Sequence, residues 1–154
     1  KILMYHGASI NRFIDEIPRI RMEYGHRKPT KVVREMLKRR HLAPSHGVMD
    51  YIPQEGGDVL AVLEVPDIVV TGDQHRAEIE TYNGILTITT SCWQSQTSFE
   101  EKVGNIPDPC KVPLFNLKSR EIKILDFSGE SEIKWETGDD LVCNLSGCEK
   151  VDGN

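Results

Sequence analysis

The chain has 154 residues, 38% of them hydrophobic and 28% charged, the composition of one ordinary globular domain with a sizeable core. No run approaches the roughly 18–20 apolar residues that span a bilayer, which excludes a membrane protein. Four cysteines are too sparse for a secreted disulfide scaffold and point to a reducing cytoplasm.

Charge is segregated along the chain, with net +7 over residues 1–41, −7 over 42–127 and −5 over 128–154. That pattern suits an anionic partner near a cation site, or two complementary faces of one domain. Ile2–Tyr5 reads as a buried strand and not as a signal peptide, so the chain is expected to be cut from something longer. His6-Gly7-Ala8-Ser9 halts the strand. Ile10, Phe13, Ile14 and Ile17 then recur at helical spacing until Pro18. Residues 18–29, with Pro18, Gly25 and Pro29, read as loop. Thr30 is placed to cap a second helix with an apolar stripe of Val33, Met36 and Leu37. Its other face carries Lys31, Arg34, Lys38, Arg39 and Arg40. Residues 44–57 are turn-rich.

From Val59 the period becomes that of strands. Residues 59–63 and 68–71 are short β-rich runs, the second almost uniformly apolar, as in a strand covered on both faces. Runs 79–82 and 85–90 flank Asn83-Gly84, a strong hairpin signal. Residues 91–111, rich in Ser, Thr, Gln and Pro, read as a long loop, and such a length implies either function or a concealed element. Runs 112–117 and 121–127 form an antiparallel pair turning at Lys118-Ser119. Residues 1–127 therefore make an α/β (α+β) domain, and 128–154 an acidic, poorly packed tail whose apolar residues are few, among them Trp135.

Two histidines follow strands directly: His6 after Ile2–Tyr5, and His75 in Gly72-Asp73-Gln74-His75 after 68–70. Ends of neighbouring strands in an α/β sheet form the crevice where ligands bind. Asp73 and His75, two apart on an irregular turn, can face one point there, and a carboxylate with an imidazole suits a first-row divalent cation. A hydrogen-bonding surface histidine is the plainer alternative.

The strings Met4-Tyr5-His6-Gly7, Arg40-His41-Leu42-Ala43-Pro44, Val65-Pro66-Asp67-Ile68, Thr71-Gly72-Asp73-Gln74-His75 and Cys92-Trp93-Gln94-Ser95-Gln96-Thr97 occur in this order. Together they resemble the C-terminal half of the small subunits of archaeal family-D DNA polymerases, which are calcineurin-like metallophosphoesterases. The resemblance runs from about Ile2 to Phe127 and implies the C-terminal half of a β-sandwich flanked by helices. It further implies a 3′-to-5′ exonuclease working through two divalent metal ions, often manganese, with DNA and a large polymerase subunit as partners. Within it His6, Asp73 and His75 fall on metal-ligand positions. Asp73 stands where the superfamily signature usually has histidine. The superfamily's early motifs, which supply the remaining ligands and a catalytic histidine, form no ordered set here. The chain is thus expected to hold about half of a two-metal site and to be inactive alone, the alternative role being a non-catalytic scaffold subunit.

Arg39, Arg40 and His41 are candidate phosphate contacts. Trp93 is a candidate for stacking on an unpaired base, or for a buried anchor of its loop. Gln94 lies beside it at the rim, where its amide offers a neutral donor and acceptor. Cys143 and Cys148, without a second pair, read as free thiols and not as a zinc site.

Overall fold

The computed structural model describes residues 1–47, 49, 50, 52, 54–128, 141–144 and 147–150. β1 (Ile2–Tyr5) is followed by α1 (Ile10–Glu16), α2 (Pro18–Glu23), a 3₁₀ turn (Gly25–Arg27) and α3 (Pro29–Arg39). β2 (Ile68–Thr71), β3 (Glu78–Tyr82) and β4 (Ile85–Thr89) complete a four-stranded mixed sheet of order β1-β2-β4-β3. β1, β2 and β4 run parallel, with Ile2 opposite Ile68 and Ile68 opposite Leu86. β3 returns antiparallel through Asn83-Gly84, both at positive φ (48° and 75°) as a tight hairpin turn requires.

Side chains alternate across the strands, so β2 and β4 contribute to two cores. On one face Val69 and Ile85 pack with Ile10, Phe13, Ile14, Ile20, Val32, Val33, Met36 and Leu37 of the helices. On the other, Ile68, Leu86 and Ile88 pack with Ile122 and Phe115. The latter two come from the antiparallel pair β5 (Lys111–Phe115) and β6 (Ile122–Asp126). Cover on both sides explains the uniformly apolar β2.

Five expectations need correction. Ile2–Tyr5 is a strand but not a buried one, because Ile2 and Met4 are exposed at the sheet edge. Residues 18–29 are not loop: Pro18 ends α1 and opens α2 at its first position, where its fixed φ is already helical, and Ile20 is fully buried. Thr30 does not cap α3 but lies inside it. Its backbone N–H and hydroxyl both donate to Glu78 Oε2, at 3.0 and 2.8 Å, so a remote carboxylate serves the helix start. Residues 59–63 are not a strand. Their β pairing among the described residues is a single isolated bridge, Ala61 with His41, while Val59 and Leu63 are exposed. Residues 91–111 contain a helix, α4 (Ser98–Val103), started by a capping box of Thr97 and Glu100 and ended by Gly104 at φ 73°.

Within the region read as a tail, β7 (Leu141–Asn144) and β8 (Gly147–Lys150) form an antiparallel pair with Cys143 opposite Cys148. Their side chains and Trp135 lie outside the described residues. No helix among the described residues is long and apolar enough to cross a membrane.

Candidate functional site

Because β1, β2 and β4 are parallel, the segments leaving their C-terminal ends share one edge of the sheet. Those segments are His6-Gly7, Gly72-Asp73-Gln74-His75 and the stretch from Thr90 to Gln94. Backbone bonds join them: Gly72 N–H donates to the His6 carbonyl (3.1 Å), and Thr90 N–H to that of Thr71 (2.8 Å). The approach depends on Gly7. At φ 105°, a Cβ placed there would stand 2.6 Å from the Gly72 carbonyl oxygen and 3.2 Å from the Asp73 Cβ.

The second turn is held in an uncommon conformation. Asp73 and His75 both have positive φ, 66° and 53°, a local cost tolerated where surroundings over-determine the backbone. Between them Gln74 is buried, and its Nε2 has no hydrogen-bond partner among the described residues. The 91–111 segment clamps the turn. Asp108 N–H donates to the His75 carbonyl (2.7 Å), and the Arg76 guanidinium to that of Ile106 (3.0 Å). His75 Nδ1 lies 2.7 Å from Glu100 Oε1 and 3.4 Å from the Gln94 amide. Glu100, which sequence reasoning missed, is buried at the start of α4. Hydrogen bonding from Thr97, then from His75, holds its carboxyl below the ordinary range despite burial. The signal was legible as Thr97-x-x-Glu100, a capping-box spacing.

Two imidazoles and a carboxylate are a chemically suitable partial donor set for a first-row divalent cation. His6 is exposed and Asp73 and His75 half-buried, so all three reach solvent. Among the described residues no group of three or more His, Cys, Asp or Glu side chains is gathered tightly enough to hold an ion. They stand as adjacent strand-end donors, not as a closed ligand set.

In sequence the chain is 38% identical over 128 residues to the DNA polymerase II small subunit of Pyrococcus abyssi. It is 38% identical over 130 residues to that of Archaeoglobus fulgidus and 36% over 126 to that of Thermoplasma acidophilum. These matches cover 82–84% of the chain. This chain is homologous to part of the archaeal DNA polymerase II small subunit. It spans 20–26% of the length of the curated relatives it matches. No protein-family profile matches it.

The remaining candidates, Arg39, Arg40, His41 and Trp93, each have partners within the fold. Arg39 bonds Glu35 (3.1 Å) and lies over the Phe13 ring, while Arg40 reaches the carbonyls of Val62 and Leu63. His41 Nε2 meets Asp58 Oδ2 at 2.8 Å, and that hydrogen bond holds the Asp58 carboxyl below its usual range. Arg39 and His41 line a cleft of about 590 Å³ with His46, Asp50 and Asp58. The cleft is tied to the end of β1, because Ser9 Oγ donates to the Leu42 carbonyl and Tyr5 OH meets Met49 Sδ at 3.3 Å. Trp93 is 71% exposed, its ring tilted against Phe127 at 6.1 Å, so it is no buried anchor.

Proposed function

We propose that this chain is the C-terminal part of the exonuclease module in the small subunit of a two-subunit archaeal replicative DNA polymerase. In this reading residues 1–127 form the second half of a calcineurin-like sandwich. The whole protein removes nucleotides from DNA 3′ ends in the cytoplasm, bound to a large polymerising subunit. The observation that carries the reading is the meeting of His6 with the Asp73–His75 turn at the C-terminal ends of parallel strands, in a chain homologous to part of the archaeal DNA polymerase II small subunit.

His6, Asp73 and His75 would contribute ligands to a site completed from outside this chain. Divalent cations, manganese by the resemblance, supply phosphate charge neutralisation and activation of water in sites of this kind. The chain's own residues hold the donors at one sheet edge and frame them. Gly7 permits the close approach, Asp108 fixes the turn, and Trp93 with Gln94 stands at the rim, where a neutral amide can contact sugar or phosphate without specifying sequence.

The test is His75→Ala in the reconstituted two-subunit enzyme. Manganese-dependent 3′-to-5′ exonuclease activity is expected to vanish while polymerisation persists, and undiminished exonuclease activity would refute the assignment. A second reading, a non-catalytic scaffold, is favoured by a largely apolar groove of about 530 Å³ lined by Ile2, Val70, Trp93, Phe115 and Leu117. The two readings separate upstream: intact early metal motifs in the longer reading frame support the nuclease, and their erosion supports the scaffold.

A further inference from the structure

Glu100 is 5% exposed, and both its carboxylate oxygens are engaged. Oε2 accepts from Thr97 N–H (2.8 Å) and Thr97 Oγ1–H (2.9 Å). Oε1 lies 2.7 Å from His75 Nδ1 and 3.5 Å from Asn105 Nδ2. A glutamate carboxylate only accepts, so the His75 nitrogen facing it at 2.7 Å must carry the proton, and the Gln94 amide, 3.4 Å from that same nitrogen, is the longer and weaker contact. The His75 backbone is pinned independently, by its positive φ and by Asp108 N–H at its carbonyl. With ring and backbone both held, Nδ1 is committed to Glu100, which leaves Nε2 as the nitrogen to present to a cation.

We propose that Glu100 is a positioning residue that fixes His75 in its Nδ1–H form and thereby presents Nε2 as a ligand to a divalent cation. Metal-ligating histidines commonly donate their other ring N–H to a carboxylate in this way. Here that partner arrives 25 positions away on the 91–111 segment, which gives the segment a role in the site beyond shaping its rim. The proposal rests on the reading of His75 as a ligand.

Glu100→Gln is the discriminating change. The Thr97 backbone N–H is an obligate donor, so the single amide oxygen must stay on Thr97 and the NH₂ turns toward His75. That NH₂ is a donor, and it forces the His75 proton onto Nε2, the ligating nitrogen. Histidine ¹⁵N spectra of the metal-free intact protein at neutral pH should show the Nδ1–H form in the wild type and the Nε2–H form in Glu100→Gln. Mn²⁺ affinity, measured by calorimetry, should fall about 10- to 100-fold in the variant. Thr97→Ala breaks the cap but leaves Glu100 on His75, so it should lower the melting temperature while keeping the Nδ1–H form. A wild-type spectrum with Nε2 protonated overturns the proposal even if Glu100→Gln does not fold. So does a folded Glu100→Gln protein whose Mn²⁺ affinity stays within threefold. Unchanged Mn²⁺ binding in His75→Ala would instead overturn the ligand reading beneath it. That failure is distinguishable, because the wild-type spectrum reads the tautomer without metal.

Discussion

The approach of the first two strand ends rests on a single missing methyl group, which makes Gly7→Ala the sharpest test of the site's architecture. Two costs add. Alanine at φ 105° occupies a region that L side chains rarely adopt, at roughly 1–3 kcal/mol. Its Cβ would also stand 2.6 Å from the Gly72 carbonyl oxygen, a backbone atom unable to rotate away, and forced overpacking of this kind costs about 1–3 kcal/mol. Against these, alanine restricts the unfolded chain and returns about 0.4–1 kcal/mol. The mid-range values leave a net of about 3 kcal/mol, concentrated where Gly72 N–H meets the His6 carbonyl. Gly84→Ala is the control. It too has positive φ, at 75°, but open space around its Cβ position, so it carries the conformational cost without the clash. Hydrogen exchange at the Gly72 amide reads the difference directly. Protection should drop on the order of 100-fold in Gly7→Ala, at 1.36 kcal/mol per decade, and stay near wild type in Gly84→Ala. Mn²⁺ affinity should fall with it as His6 separates from the Asp73–His75 turn. Equal Gly72 protection in the two variants would refute the close-approach argument.

Glu35 is buried against Arg19 (3.1 Å), Lys38 (2.6 Å) and Arg39 (3.1 Å). Burial pushes its carboxyl up, but hydrogen bonds from Lys38 and Arg39 outweigh it and the net direction is down. A depressed carboxyl stabilises fully above its ordinary value of 4.5 and loses that contribution as pH falls through its lower folded value. Glu35→Gln should therefore cost about 1–3 kcal/mol at pH 7, with the gap in melting temperature closing in acid; a gap absent at pH 7 or undiminished at pH 3 refutes this. Trp93→Ala, truncating a 71% exposed ring, should leave folding and Mn²⁺ binding unchanged. It should weaken single-stranded DNA binding by the equivalent of about 1–3 kcal/mol or loosen subunit assembly, and loss of metal binding with both intact would contradict it.

The helical stripes and the Asn83-Gly84 hairpin were legible because each is a local pattern whose burial follows from period alone. The uniformly apolar 68–71 run likewise announced a strand covered on both faces. Residues 18–29 were misread because proline was taken only as a terminator, whereas Pro18 and Pro29 each open a helix. Run 59–63 had strand composition but no sheet edge to join, and composition does not carry that information. At the site, His6 and the 72–75 turn were legible as strand-end residues because sheet topology gathers such ends. Glu100 was not: its meeting with His75 needs a short helix whose six residues carry almost no periodicity, and only the capping spacing signalled it.

Charge was the pattern whose meaning the sequence left most open, and partners in the fold decide much of it. Lys28 pairs with Glu78 (3.2 Å), and Lys31 and Arg34 both reach Glu80 Oε1, at 2.6 and 3.3 Å. Lys38 and Arg39 are bound to Glu35 within α3 itself. The basic leading segment and the acidic β3 are thus two faces that neutralise one another across the α3–β3 contact. An α3 whose cations are already paired is a poor platform for a phosphate backbone, since counterion release rewards only the charges left to neutralise it. Arg39 is committed to Glu35, whereas the Arg40 guanidinium donates to the carbonyls of Val62 and Leu63. Under the proposed reading, substrate contact falls to the strand-end edge, where Gln94 is exposed and its amide lies 3.4 Å from His75 Nδ1. Such a group can hold a phosphodiester in register without adding long-range attraction. Under the proposed nuclease reading, this chain would position DNA, and its attraction would be left to other surfaces of the assembled enzyme.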